Sequence, residues 1–322
     1  MGVSGTVAVT GATGFVGRHA VRELLARGYR VRALVRDLGK GAGVLGSHES
    51  LDLVRGDMFD SESLAELVSG CIAAVNTVGI IREADGQTFQ RVHVVGVGKL
   101  LEAMASAGCD RIVQISALGV SETSGTGYSK SKFEAERLVR TSGMKWTILR
   151  PGLIHGPEGE FTKMAVAWAR GRIAPYLFMP YFSRMKGGFP KPEFEAPLVQ
   201  PVAVEDVARA IAESVERDVA VGEVYPLTGG ETLEWPTLLE FVRDHVTLAR
   251  PGIKARGIPG DLAAIKAKGA GMLGMGALLP FDEGMAKMGA QDNVSPATKT
   301  REHLDLAPAG FREVAAGYLG AM

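Results

Sequence analysis

Short apolar runs alternate with helically spaced apolar residues through the first half of the chain. "TVAVT" reads as a strand, and behind it Phe15, Val16, Ala20, Leu24 and Leu25 recur at the spacing of one helix face. The alternation continues. "YRVRALV" and "LDLVRG" read as the second and third strands, and "SESLAELVSG" as a short helix with Ser61 as its N-cap. "AAVNTVG" is a fourth strand, Thr88 to Ala107 a long helix and "RIVQIS" a fifth strand. Tyr128 to Thr141 is a helix and "WTILRPG" a sixth strand. Such an order predicts an α/β fold, a doubly wound parallel sheet with helices on both faces.

Beyond Pro151 the pattern breaks. Residues 156–201 are rich in Pro, Gly and aromatics and read as irregular structure near a ligand cleft or partner surface. "VEDVARAIAESVER" restores an amphipathic helix with acids in its first turn; "VYPL" reads as a strand and "TLLEFVRDHV" as a helix. This divides the chain into an α/β core, 1–155, and a smaller C-terminal α/β lobe, 156–322, from which 200–228 returns to the core.

Composition narrows the class. The 322 residues carry 36 basic and 36 acidic side chains, so no basic excess marks a nucleic-acid partner. The six histidines show no metal-ligand spacing, and Cys71 and Cys109 read as reduced thiols. With no secretory signal and no membrane-length apolar run, the expectation is a cytoplasmic protein. The Gly- and Met-rich stretch "KAKGAGMLGMGALLPF" reads as a loop or lobe segment; the other reading is a peripheral contact with a membrane or membrane complex.

The first strand ends in "TGATGFVG", placing Gly11, Gly14 and Gly17 between strand and helix. There glycine permits a tight turn, a close approach of backbone to pyrophosphate, and close helix packing. This is the phosphate loop of a Rossmann-type sheet. Arg36 stands at the end of the second strand, where an acid would hold the ribose hydroxyls of NAD. A guanidinium suits a 2′-phosphate, with Arg32 and Lys40 placed to assist, so NADP(H) is favoured; Asp37 leaves NAD(H) open. Asp57 and Met58 follow the third strand, suited to an adenine amino group and ring, or to an ordinary polar turn. Thr77 and Gly79 follow the fourth.

These residues, with Ser116, the Tyr128–Lys132 pair and "LRPGLIHGP", resemble the extended and atypical short-chain dehydrogenase/reductase superfamily. "AAVNTVGIIRE", "RVHVVGVGKLLEAMASAGCDRIVQISALGV", "QPVAVEDVARAI" and "QDNVS" resemble in particular the NADPH-binding accessory subunit of respiratory complex I and its bacterial relatives. The likeness is strongest from residue 6 to 230. It implies a tightly held NADP(H) and adds Thr13, Phe15, Val16, Lys132 and Pro151 to the cofactor-binding positions. It also implies a catalytic set: Tyr128 moves the proton, Lys132 holds the ribose and lowers the tyrosine pKa, and Ser116 orients the substrate carbonyl. Two features depart from the pattern. Ser116 precedes Tyr128 by only twelve residues, and His93 stands where many members carry a relay asparagine. His93 is either a relay or a core residue.

Two classes of function follow. One is an oxidoreductase for an apolar carbonyl or quinone-like substrate, held between the sheet's carboxyl edge and the lobe. Tyr176, Phe178, Tyr181 and Phe182 either line that site or pack the lobe. The other is a non-catalytic NADPH-binding module of a complex I-like membrane assembly, in which the Tyr–Lys pair is retained geometry. A nucleotide-sugar epimerase or dehydratase ranks last, because nothing in the lobe reads as a clamp for a nucleoside diphosphate.

Overall fold

The computed structural model describes residues 5–84, 86–123, 125–187, 192–272 and 283–322. They form two compact units. The first holds 1–151, 204–227 and 296–307; the second holds 152–203, 228–295 and 308–322. Residues 152–155 thus go with the lobe, and a second return to the core, 296–307, went unanticipated.

In the first unit, β1 (Thr6–Thr10) leads into α1 (Phe15–Ala26). There follow β2 (Arg30–Val35), α2 (Leu38–Leu45), β3 (Leu51–Arg55), α3 (Ser61–Val68) and β4 (Ala73–Asn76). A π-helical turn, Gln90–Val95, opens into α4 (Gly96–Ala107), where one continuous helix was expected. β5 (Arg111–Ile115), α5 (Gly127–Thr141) and β6 (Lys145–Pro151) complete the first half. The N-cap of α3 is Asp60, not Ser61: its carboxylate accepts from the Glu62 N–H at 3.1 Å. α2 lies in a glycine-rich run that shows no apolar periodicity; Asp37 starts it by accepting from the Lys40 N–H at 2.9 Å.

Every strand pair in the resulting seven-stranded sheet is parallel. The seventh strand, β12 (Glu223–Leu227), lies beside β6, and the order is β12-β6-β5-β4-β1-β2-β3. Successive side chains alternate between faces. Ala8, Ala74, Ile112 and Ile148 face a core with Leu64 and Leu67 of α3, Leu100 and Met104 of α4, and Val139 of α5. α1 packs against α7 (Val204–Glu216), and Arg27 ties the two through Glu213 and Glu216 at 2.8 and 3.0 Å. Strand order reverses between β1 and β4. Loops leaving their carboxyl ends diverge and leave a crevice, the position where such sheets bind ligands.

The second unit is more regular than its composition suggested. β7 (Ile154–His155) and α6 (Glu160–Ala169) precede β8 (Phe178–Lys186), a nine-residue strand inside the segment read as irregular. β9 (Glu193–Glu195), β10 (Leu198–Val199) and β11 (Val202–Ala203) are short. Later come β13 (Leu233–Glu234), α8 (Trp235–His245), β14 (Lys254–Pro259), α9 (Gly260–Met272) and α10 (Glu283–Gly289). α11 (Thr298–Leu304) belongs to the first unit and α12 (Phe311–Leu319) to the second. β14, β8 and β9 form a three-stranded sheet, and Trp168, Met179, Leu238, Leu239 and Phe311 centre the core. Of the Gly- and Met-rich stretch, Lys266 to Met272 fall in α9, and residues 273–281 lie outside the described residues. Among the described residues no helix is long and apolar enough to cross a membrane.

Candidate functional site

A cleft of about 520 Å³ opens in the first unit at the carboxyl ends of β1 to β4. Gly11, Thr13 and Gly14 line it from β1, Arg36 from β2, Asp57 and Met58 from β3, and Thr77 and Gly79 from β4. These strand ends are far apart in sequence and meet only through the sheet.

The glycines are needed as glycines. Gly11 has φ +69°, where a side chain is strained. A Cβ on Gly14 would come within 3.1 Å of the Gly11 carbonyl, and one on Gly17 would run into it. The loop therefore brings bare backbone to the N-terminus of α1, whose first N–H groups lack helical partners and suit an anion. Arg18 braces it, donating to the Thr13 carbonyl at 3.0 Å and the Gly14 carbonyl at 3.2 Å. A dinucleotide phosphate group fits this backbone.

Arg36 is exposed on the cleft wall, with no hydrogen bond or ion pair among the described residues. Asp37 is spent on the cap of α2, and those hydrogen bonds hold its carboxyl below the usual range. Arg32 does not assist Arg36. Its guanidinium reaches over the sheet to the carbonyls of Glu66 at 2.8 Å and Ser69 at 2.7 Å, closing the end of α3. Asp57 accepts from the Phe59 N–H at 2.7 Å, which shapes its turn, and Met58 is buried. Phe15, Val16, Gly17 and Pro151 do not line the cleft: Gly17 backs the loop, and the Pro151 carbonyl accepts from the Leu118 N–H at 2.8 Å. Phe59 and Gln87 do line it and were missed. The Arg91 guanidinium stacks on Phe59 at 4.4 Å, a pairing with no local signature.

Behind Gly79 stands Lys132. A Cβ on Gly79 would lie 2.9 Å from the Lys132 Nζ and 3.6 Å from the His93 Nε2. Lys132 is buried, donates to the Ile115 carbonyl at 3.3 Å, and has no carboxylate within ion-pair distance among the described residues. Burial brings its ammonium down to about 8, against a partial pull upward from Glu136. Buried amides reach the same carbonyl: Thr10 donates to Asn76, Asn76 to Gln114, and Gln114 to Ile115.

Tyr128 and Lys132 lie one turn apart on α5, which Thr126 caps by accepting from the Ser129 N–H at 3.1 Å. The Tyr128 ring meets Phe89 and His93 edge-on, centroids at 5.8 and 5.7 Å. Its hydroxyl has no hydrogen bond among the described residues, and burial pushes it up to about 12. The pull of Lys132 toward the phenolate that the resemblance implied is not seen, and the hydroxyl stays protonated. His93 has both nitrogens engaged. Nε2 accepts from the Ile80 N–H at 3.1 Å, which leaves Nδ1 to donate to Ser131 Oγ at 2.8 Å. Burial and the Lys132 charge bring His93 down to about 3, so it braces the site as a neutral ring.

Ser116 points elsewhere. Its hydroxyl donates to Glu136 at 2.6 Å, and Glu136 also takes both prongs of Arg150, at 2.8 and 2.7 Å. Lys132 thus stands behind Gly79 of the cleft wall with Tyr128 one turn away on α5, neither of them among the residues that line the cleft, and the expected serine is drawn into a buried ionic cluster.

Residues 11–169 match the profile of a family described as NAD(P)H-binding. Over 266 residues the chain is 31% identical to the sterol demethylase protein B of Methylococcus capsulatus, covering 74% of this chain and 75% of that protein. It belongs to the extended short-chain dehydrogenase/reductase superfamily. Within that superfamily it is 34% identical over 174 residues to the ceramide reductase of Caulobacter vibrioides, 54% of each chain. It is 28% identical over 243 residues to the mitochondrial NADH dehydrogenase [ubiquinone] 1 alpha subcomplex subunit 9 of Dictyostelium discoideum, 73% of this chain and 62% of that one. The chain thus spans between half and two thirds of the length of these last two relatives.

Proposed function

We propose that this superfamily member is an NADP(H)-dependent oxidoreductase acting on an apolar carbonyl or quinone-like substrate. The state of the Tyr128–Lys132 pair carries the reading. A hydroxyl kept protonated by burial, with no hydrogen bond among the described residues, stands one turn from a buried ammonium without an ion pair. The ammonium's one hydrogen bond among the described residues, to the Ile115 carbonyl at 3.3 Å, leaves it further protons to donate. A bound nicotinamide supplies the hydride in such chemistry. Tyr128 delivers the proton to the substrate oxygen, and Lys132 donates to ribose hydroxyls and offsets the charge left on the phenolate. Arg36 free in the cleft, with Asp37 turned to α2, supports NADP(H) over NAD(H). A ceramide reductase and a sterol demethylase protein among the relatives support an apolar substrate.

A second reading rests on Ser116. With its hydroxyl spent on Glu136, the substrate carbonyl lacks the expected second donor, which favours a non-catalytic NADPH-binding module of a complex I-like assembly. The test is NADPH oxidation with medium-chain aldehydes and short-tailed quinones. Tyr128→Phe should lower turnover by ~10² or more and leave nucleotide affinity unchanged. Lys132→Ala should weaken nucleotide binding under either reading. An active wild type whose turnover survives Tyr128→Phe removes the tyrosine from the chemistry. A wild type that retains NADPH through purification and turns over none of the panel favours the second reading.

A further inference from the structure

The second unit contains a chamber of about 350 Å³ that the nucleotide site does not account for. Phe161, Met164 and Trp168 of α6 form one wall, with Phe182 of β8, Trp235 of α8 and Met285 of α10 around it. Among the described residues no charged side chain and no Ser, Thr, Asn or Gln lines it. The indole N–H of Trp168 is turned into the wall, donating to the Ala174 carbonyl at 2.9 Å; that of Trp235 is buried with no hydrogen bond among the described residues, and Tyr181 brings one hydroxyl.

Such a space is not ordinary packing. Protein interiors hold few voids larger than a water molecule, and apolar walls left facing water in a partly open cavity forgo the stabilisation of burial. An engineered apolar cavity of less than half this volume, about 150 Å³, stays dry and binds benzene. The volume falls in the range of small-molecule sites, about 300–1,000 Å³. The wall chemistry narrows the occupant. A nucleoside diphosphate, a sugar or an acidic peptide would leave most of its polar groups unpaired, because the Tyr181 hydroxyl and the Trp235 N–H are too few to meet them. A hydrocarbon chain loses nothing there. Two methionines let the wall adapt to its shape.

We propose that the chamber binds one hydrocarbon chain, the tail of a lipid-like molecule. At roughly 30 Å³ for each water-sized group it has room for about ten to twelve carbons. This goes beyond the oxidoreductase reading and does not depend on turnover in the first unit.

Trp168 and Trp235 supply the readout, because a bromoalkyl chain in the chamber quenches indole fluorescence; Trp146, in the first unit, gives a constant background. The full chain is titrated with 11-bromoundecan-1-ol, and the quenching is reversed with plain n-alkanols from six to fourteen carbons. Quenching should saturate. Each added methylene should tighten the competing alkanol about fourfold, up to ten to twelve carbons and no further. Ile258→Phe, which adds bulk to the wall, should move that plateau to a shorter chain; if it does not melt cooperatively, Met164→Phe replaces it. Absence of saturable quenching overturns the proposal. So does affinity that climbs through fourteen carbons, the mark of surface partition, or a plateau unmoved in a folded variant. Saturable binding without NADPH oxidation leaves the chamber standing while the oxidoreductase reading fails.

Discussion

His93 in the first unit and His155 in the second are both buried, and burial holds both neutral, near 3 and near 4. They are used differently. His93 accepts from Ile80 and donates to Ser131, whose hydroxyl in turn donates to the Tyr128 carbonyl at 2.9 Å. His155 meets Tyr318 at 3.0 Å through Nδ1 and Phe311 edge-on at 4.9 Å, and its Nε2 has no partner among the described residues. Around His93 polar atoms are paired off and set positions. The Tyr128 hydroxyl is left without a hydrogen bond among the described residues, and the Lys132 ammonium holds only the Ile115 carbonyl at 3.3 Å; these are the two groups the proposed reaction uses. Around His155 the packing is carbon, and a missing hydrogen bond is tolerated. The first unit gathers paired polar groups around its cleft; the second lines its chamber mostly with apolar and aromatic side chains.

The largest effect that sharpens this contrast should come from Arg36. Charge-assisted hydrogen bonds contribute about 1.5–3 kcal/mol each, so Arg36→Asp should weaken NADP binding by roughly tenfold to a hundredfold. NAD binding should hold or improve. Hydrocarbon binding in the second unit should not change. Calorimetry on the three ligands separates these outcomes, and a wild type that prefers NAD would mean that Arg36 is a solvated strand-end residue.

The two units also differ in how far the sequence alone discloses them. The glycine loop was legible because its constraint is local: Gly11, Gly14 and Gly17 lie within seven residues and answer to one carbonyl. The sheet was legible because buried parallel strands are short apolar runs. Ser116 and Arg32 were not, because their directions are set by distant partners, Glu136 twenty residues on and the end of α3. α2 was missed because a single cap, Asp37, starts a helix through three glycines. β8 was missed because Pro180 and mixed aromatics hide its alternation, and β14 supplies the pairing from 76 residues away. The chamber in the second unit is assembled from such elements, so its aromatics could be noticed but not placed. Phe178, Tyr181 and Phe182 reach its wall; Tyr176 is exposed.

A smaller effect should separate the histidines. Both have folded pKa values below the usual ~6.5, so above that pH both states are neutral and stability is full. As pH falls from about 6.5 toward 4 the unfolded chain takes up protons that the folded chain refuses, and each histidine should cost up to ~1.4 kcal/mol per pH unit. Urea melts at pH 7 and pH 5 should show the loss. His93→Phe should destabilise by about 1–3 kcal/mol at pH 7, because it strips partners from Ile80 and Ser131, and by less at pH 5, where its own proton penalty is removed with it. His155→Phe should cost less at pH 7 and lessen the loss at pH 5. Equal penalties for the two would erase the contrast between the units.

The smallest effect should come from Ser116→Ala. In a triad that serine orients the substrate carbonyl, and its removal would lower turnover on the scale of Tyr128→Phe. Here the hydroxyl faces a carboxylate that Arg150 already grips at two points and Arg140 approaches at 3.3 Å. Glu136 keeps those partners when the hydroxyl is removed. Turnover should therefore stay within about twofold, and stability should fall by about 1.5 kcal/mol, the low end for a hydrogen bond to a charged group, because Arg150 and Arg140 still hold the carboxylate. The measurement pairs kcat/KM with a urea midpoint for the same variant. A hundredfold fall in kcat with an unmoved midpoint would mean that the hydroxyl leaves Glu136 for the substrate when one is bound. The first unit would then hold three reacting groups, and the bond to Glu136 would be the resting position of a catalytic serine.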